Sequence, residues 1–298
     1  MKLRSLLACA AAPFALLAAH PAQADSDFVA PAGTGPALWK VADADTTIYL
    51  FGTVHVLPQG IEWYDSTIGE ALASSEIIVT EIPMDSASDA QLQQLTATKG
   101  MLPAGTTLRS LLNPEQTATY TAALAKLGAP AEAFDPLKPW LAGLTFSVLP
   151  LIQQGYDPNA GVEKVLLAKV PDKPKGALET AEFQLGIFDG MTQEAQVAFM
   201  VDAAGSMDEV KPMLDRMVAE WVEGDAENLA AVMNEGMSDP AVAEALLYSR
   251  NANWAEWIDT RLDTPGTVFI AVGAGHLAGT RSVQEYLAQK GIGVTRVK

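Results

Sequence analysis

Two of the three histidines in this sequence, His55 and His276, end the same short pattern: Gly52-Thr53-Val54-His55 and Gly273-Ala274-Gly275-His276. Each pattern follows an apolar, β-branched run, Thr46-Thr47-Ile48-Tyr49-Leu50-Phe51 in one case and Gly266-Thr267-Val268-Phe269-Ile270-Ala271-Val272 in the other. In α/β sheets ligands collect at the carboxyl ends of the strands. A glycine there lets the chain turn without a Cβ clash. A histidine three residues past it points into the crevice, and two such histidines can meet if their strands lie close in one sheet. Glu81 closes the next strand-like run, Glu76–Glu81. If that strand is parallel to the first, Glu81 lies on the same edge as His55. Two imidazoles and a carboxylate suffice as the protein ligands of a divalent metal ion, with positions left open for water. Such an ion lowers the pKa of bound water and polarises a carbonyl. The same trio could also work without metal, with one histidine as general base and the glutamate orienting it. His55, Glu81 and His276 are therefore both the candidate metal ligands and the candidate catalytic residues.

Further polar residues are candidates for the same cluster. Glu179 ends a short run, Lys175–Thr180, that reads as a return strand. Arg250-Asn251 lies in a helical stretch ahead of Trp254 and Trp257. An arginine could clamp a carboxylate or stabilise an oxyanion. The two tryptophans read as core. Among motifs with other chemistry, there is no phosphate-binding loop and no Gly-x-Gly-x-x-Gly after a strand. There is no Gly-x-Ser-x-Gly elbow either.

The elements that must position these residues follow from periodicity. Strands are expected at 46–51, 76–81, 175–180, 266–272 and 293–297, with helices near 62–74 and 282–290. Between them the pattern is helical at 91–98, 114–127, 139–154 and 161–168, and again over 192–223, 226–234 and 240–262. Strands thus cluster at the two ends of the chain. The expected fold is α/β: a mixed, mostly parallel sheet built from both chain ends, with a large helical insertion over about 86–172.

The chain has 298 residues, 49% of them hydrophobic, enough for a sizeable core. Lys2 and Arg4, the apolar stretch from Leu6 to Ala19 and Ala22-Gln23-Ala24 make up a secretory signal, with the mature chain starting at Asp25. Residues 25–37 are small and Pro/Gly-rich and read as a flexible lead-in. Cleavage would remove the single cysteine, Cys9, and His20, leaving His55 and His276 as the whole histidine content. An exported chain without thiols has no disulfide and no cysteine nucleophile or metal ligand. The net charge of −17 argues against nucleic acid and anionic lipid as partners. No later run is apolar for the 18 or so residues a membrane span needs. The mature chain is expected to be exported and not inserted in a membrane, with a peptide or small molecule as substrate. Alternative readings of the same edge are a binding site without turnover or a catalytically silent scaffold.

At these motifs the chain resembles the TraB/GumN family, also called TraB–PrgY–GumN, which is related to the Tiki proteins. The resemblance runs from about Leu38 to Val297. It rests on Phe51-Gly52-Thr53-Val54-His55, on Glu81, and on Leu178-Glu179-Thr180 with Gln184 and Gln196. It continues through Arg250-Asn251-x-x-Trp254 and Ala271-Val272-Gly273-Ala274-Gly275-His276-Leu277. It implies an erythromycin-esterase/ChaN-like α/β fold. It also implies a metal-dependent protease-like activity using Mn or Co, with His55, Glu81 and His276 at the metal or catalytic site and Arg250 and Asn251 in support. TraB-like members are linked to shutting down peptide pheromones, and GumN-like members to polysaccharide genes; with ChaN-like relatives, these links imply as alternatives a periplasmic binding protein for haem or peptide without turnover, or an envelope polysaccharide-associated scaffold.

Overall fold

A computed structural model of the chain describes residues 35–236 and 240–298; the expected signal peptide, 1–24, and most of the lead-in lie outside the described residues. In chain order the elements are β1 (Leu38–Ala42), β2 (Thr46–Thr53), β3 (Leu57–Pro58), α1 (Ser66–Ser74), β4 (Ile77–Thr80), α2 (Ser86–Lys99), α3 (Pro114–Lys126), α4 (Pro139–Gln153), β5 (Tyr156–Asp157) and α5 (Val162–Lys169). They continue with β6 (Lys175–Ala177), α6 (Ala181–Asp189), α7 (Gln193–Gly205), α8 (Met207–Glu223), α9 (Ala226–Gly236), α10 (Pro240–Ala243), α11 (Ser249–Leu262), β7 (Gly266–Gly273), α12 (Val283–Gln289) and β8 (Val294–Arg296). A π-helical turn, Glu244–Tyr248, joins α10 to α11, and a 3-10 turn, Ala274–Leu277, follows β7.

Six of the strands form one mixed sheet in the order β6-β4-β7-β2-β1-β8. The four strands β6, β4, β7 and β2 are parallel, and β1 and β8 complete the sheet antiparallel to their neighbours. This is the mostly parallel sheet expected from both chain ends. The central strands read as unbroken apolar runs because both faces are covered. In β7, Phe269 and Ala271 face a core shared with Phe51, Trp221 and Leu166. Val268, Ile270 and Val272 face a second core with Ile48, Leu50, Trp254 and Ile258. The two-residue alternation of a strand divides one run between two cores.

The helical region is arranged in two pieces. Helix α4 is buried along almost its whole length, from Pro139 to Leu151. A helix apolar on every side needs partners on every side. These come from α2 and α3 before it and from α6 and α7 after it, through Leu92, Tyr120, Phe188, Phe199 and Met200. The expected insertion over 86–172 is therefore divided. Helix α5 packs Val162 and Leu166 into the sheet core instead, while α6 and α7, beyond residue 172, complete the helical block. The expected helix over 192–223 breaks at Ser206 into α7 and α8.

Candidate functional site

Four parallel strands end side by side, and each delivers a polar residue at its carboxyl end. His55 follows β2 by two residues, Glu81 directly follows β4, His276 lies three residues past β7, and Glu179 lies two past β6. The ends are in step because Thr53 pairs with Gly273 and Thr80 pairs with both Ala271 and Ala177. Glu179 is fixed further because Thr180 is the N-cap of α6, accepting from Phe183 N. The two Gly-x-x-His turns pack backbone to backbone. A Cβ on Gly52 would stand only 3.0 Å from Ala274 Cα, so glycine is what permits the approach.

Gly273 is the point on which the side chains converge. A Cβ there would lie 3.1 Å from Glu81 Oε1, 3.5 Å from His276 Cδ2 and 3.6 Å from His55 Nε2. Its own N–H donates to Glu81 Oε1 at 2.7 Å. Glu81 Oε1 is 3.9 Å from His276 Nε2. The structure thus brings His55, Glu81 and His276 together from both ends of the chain.

Arg250, 3% exposed, joins them from α11. Its Nε donates to Glu179 at 3.0 Å. Nη1 donates to Leu246 O at 2.9 Å and to His276 Nε2 at 3.1 Å. Nη2 donates to Glu81 Oε2 at 2.6 Å and Glu179 Oε2 at 2.9 Å. A guanidinium has five N–H groups and no acceptor, so all five are engaged. None is left for a substrate oxyanion, one of the two roles that the sequence suggested for Arg250; the carboxylates it clamps are the chain's own Glu81 and Glu179. Gln184 Nε2 bridges the same two carboxylates at 3.0 Å each. Burying ions costs several kcal/mol each unless they are paired and hydrogen-bonded; here every partner is present.

The protonation of His276 follows from these contacts. Arginine can only donate, so His276 Nε2 accepts, and the ring hydrogen sits on Nδ1, which donates to Asn251 Oδ1 at 2.6 Å. Asn251 is held by its own donation to Arg281 O at 2.8 Å. Trp254 lies against the ring at 4.2 Å between centroids and donates Nε1–H to Glu179 at 2.9 Å. Burial, then the Arg250 charge, push the His276 pKa down to about 3. Burial alone would raise the Glu81 carboxyl, but Arg250 and the two histidines hold it well below the usual carboxylate range.

His55 sits differently. Its Nδ1 is 2.5 Å from Glu163 Oε1, and the same oxygen accepts from the Thr53 hydroxyl at 2.5 Å. The His55 contact is an ion-pair distance that falls short of hydrogen-bond alignment. Both of its buried ring nitrogens therefore count as lacking a hydrogen-bond partner. Burial lowers the His55 pKa, Glu163 outweighs it, and the net shift is upward.

Glu163 is not among the residues that the sequence points to, while Thr53, Gln184 and Trp254 carry the family resemblance without a site role of their own, Trp254 reading as core. Two signals were present. Glu163 is a lone acid between Val162 and the buried Leu166 on the first turn of α5, and Trp254 stands one helical turn after Arg250, on the same face.

The donor set suits a divalent ion in kind but not in arrangement. Arg250 stands between Glu81 and His276 and occupies the histidine's one lone pair. Among the described residues no three His, Cys, Asp or Glu side chains are disposed to hold an ion. As they stand, His55, Glu81 and His276 do not fit a shared metal.

Fold and cluster together define the class: an α/β protein whose parallel strands present a buried His–Glu–Arg cluster at their carboxyl ends. Within that class the chain belongs to the TraB/PrgY/gumN family, whose family model matches residues 37–296. Neither the curated proteins nor the solved structures contain a match to it. No helix among the described residues is long and apolar enough to cross a membrane.

Proposed function

We propose that this chain is an exported hydrolase that cleaves amide bonds in peptide-like substrates by acid–base chemistry at His55. One observation supports this most. Among the buried polar atoms of this cluster only the two His55 ring nitrogens lack an aligned hydrogen-bond partner; Nδ1 has the Glu163 carboxylate against it, while Nε2 lies beside the point shared by Glu81 and His276. A raised pKa suits a general base working near neutral pH. His55 Nε2 takes the proton of a water that attacks the substrate carbonyl and returns it to the leaving amine. Arg250 acts through the carboxylates it holds and through its charge, since its hydrogens are spent. His276, neutral and committed to Arg250, holds that guanidinium in place. With His55 6% and His276 4% exposed, a substrate reaches Nε2 only once neighbouring side chains move aside. The N-terminal signal composition supports export.

The test is cleavage of a defined peptide mixture by the purified chain, read by mass spectrometry. His55→Ala should cost about 10²–10⁴-fold in rate with the melting temperature little changed. Absence of cleavage, or a fully active His55→Ala, contradicts the proposal. Adding Mn, Co or Zn should change the rate by no more than about twofold. A rise of about tenfold or more would mean that Arg250 yields to an ion acting at His55, Glu81 and His276.

A further inference from the structure

Glu163 reaches the site from outside the strand ends. It stands on the first turn of α5 and is 4% exposed. Helix α5 is fastened to the His55 turn at two places. Val162 N–H donates to Val54 O at 3.0 Å. Gly161 lies so close to the His55 carbonyl oxygen that no Cβ could be accommodated. Thr53, on the last residue of β2, donates to the Glu163 oxygen that also faces His55 Nδ1. Glu163, Thr53 and His55 are therefore held as one unit, apart from the Arg250 cluster, which none of their hydrogen bonds enters.

We propose that Glu163 is the positioning residue of His55, a role that depends on the hydrolase reading only for its catalytic consequence. At 2.5 Å, Oε1 stands where a small rotation of the ring lets it accept a hydrogen on Nδ1, which leaves the Nε2 lone pair facing Gly273. The partner of one ring nitrogen decides which nitrogen carries the hydrogen. An imidazole with no such partner favours the hydrogen on Nε2, which would leave His55 unable to accept a proton on the side that faces the cluster. Thr53 completes the arrangement by fixing the rotamer of the carboxyl group. A purely structural glutamate would have no reason to share one oxygen between the hydroxyl and the ring at 2.5 Å each.

The experiment is a long-range 1H–15N correlation spectrum of the full chain with labelled histidine, at a pH where the rings are neutral. Peaks are assigned by single His→Gln replacements among the three histidines. The expected result places the His55 hydrogen on Nδ1 in the wild type and in Thr53→Val, and on Nε2 in Glu163→Leu. Peptide cleavage by Glu163→Leu should fall by about tenfold or more through kcat, with KM little changed. A wild-type His55 carrying its hydrogen on Nε2 overturns the proposal. So does a Glu163→Leu that melts earlier but keeps Nδ1–H, because that variant would show Glu163 to be structural only. If Glu163→Leu does not fold, the wild-type and Thr53→Val spectra still decide the matter. If no peptide is cleaved by any form, the hydrolase reading fails while the tautomer result stands or falls by itself.

Discussion

The turns after β2 and β7 carry the same four-residue pattern, pair in register and pack against one another through Gly52 and Ala274, but their imidazoles have different surroundings. His276 has Asn251 on one nitrogen, Arg250 on the other and Trp254 against its face. Its lone pair is given to a permanent cation, and its pKa is pushed down to about 3. His55 is equally buried, yet the Glu163 carboxyl next to it outweighs the burial and shifts the pKa upward, and Nε2 stays unpartnered. The shared motif brings a ring to the strand edge; the side chains it meets there decide what the ring can do. Neighbouring groups whose pKa values are driven apart are how a site separates a proton acceptor from a fixed support.

The contrast breaks most severely if Arg250 is removed. Arg250→Leu leaves Glu81 and Glu179 buried without their cation and takes the donor from His276 Nε2. It should cost about 3–5 kcal/mol of stability, measured by denaturant unfolding; a loss below about 1 kcal/mol would mean that the carboxylates are not paired as described. Asn251→Leu affects only the His276 side. It strands the buried Nδ1–H and should cost about 1–3 kcal/mol, again by denaturant unfolding, with the His55 resonances unmoved; a shift of both histidines would show that the two rings are not independently held.

A smaller effect per step, about 1.4 kcal/mol per pH unit for each proton, comes from linkage. The folded His276 stays neutral down to about 3, whereas an ordinary histidine protonates near 6.5. Its contribution is present above about 6.5 and is lost as the pH falls. His55 has the opposite sign. Its raised pKa gives a contribution that is fully present below 6.5 and is lost as the pH rises through the folded value. The stability deficit of His276→Gln relative to the wild type should therefore shrink on acidification, and that of His55→Gln should shrink on raising the pH. Parallel curves for the two variants would remove the distinction.

Much of this arrangement was legible in the sequence. The runs at 46–51 and 266–272 read as strands because both their faces are buried, and they carry the two glycines and histidines with them. Glu81 and Glu179 were found because they end strands. β1 was missed because only Leu38 and Val41 of its five residues are buried, and β3 and β5 are too short, at two residues each, to show any period. Glu163 was missed because it comes from a helix: its relation to His55 exists only through the packing of α5 on the β2 turn. Arg250 was named, but its role was not readable. Only in the fold do Leu246, His276, Glu81 and Glu179 absorb all of its donors, turning an expected substrate contact into the support that fixes His276.

The most direct test of the unlike histidines is an NMR pH titration of their ring protons in the wild-type chain. The expected result is one ring, lost in His55→Gln, titrating above 6.5, and a second, lost in His276→Gln, unprotonated as the pH is lowered until the protein unfolds. Two rings titrating together near 6.5 would contradict it.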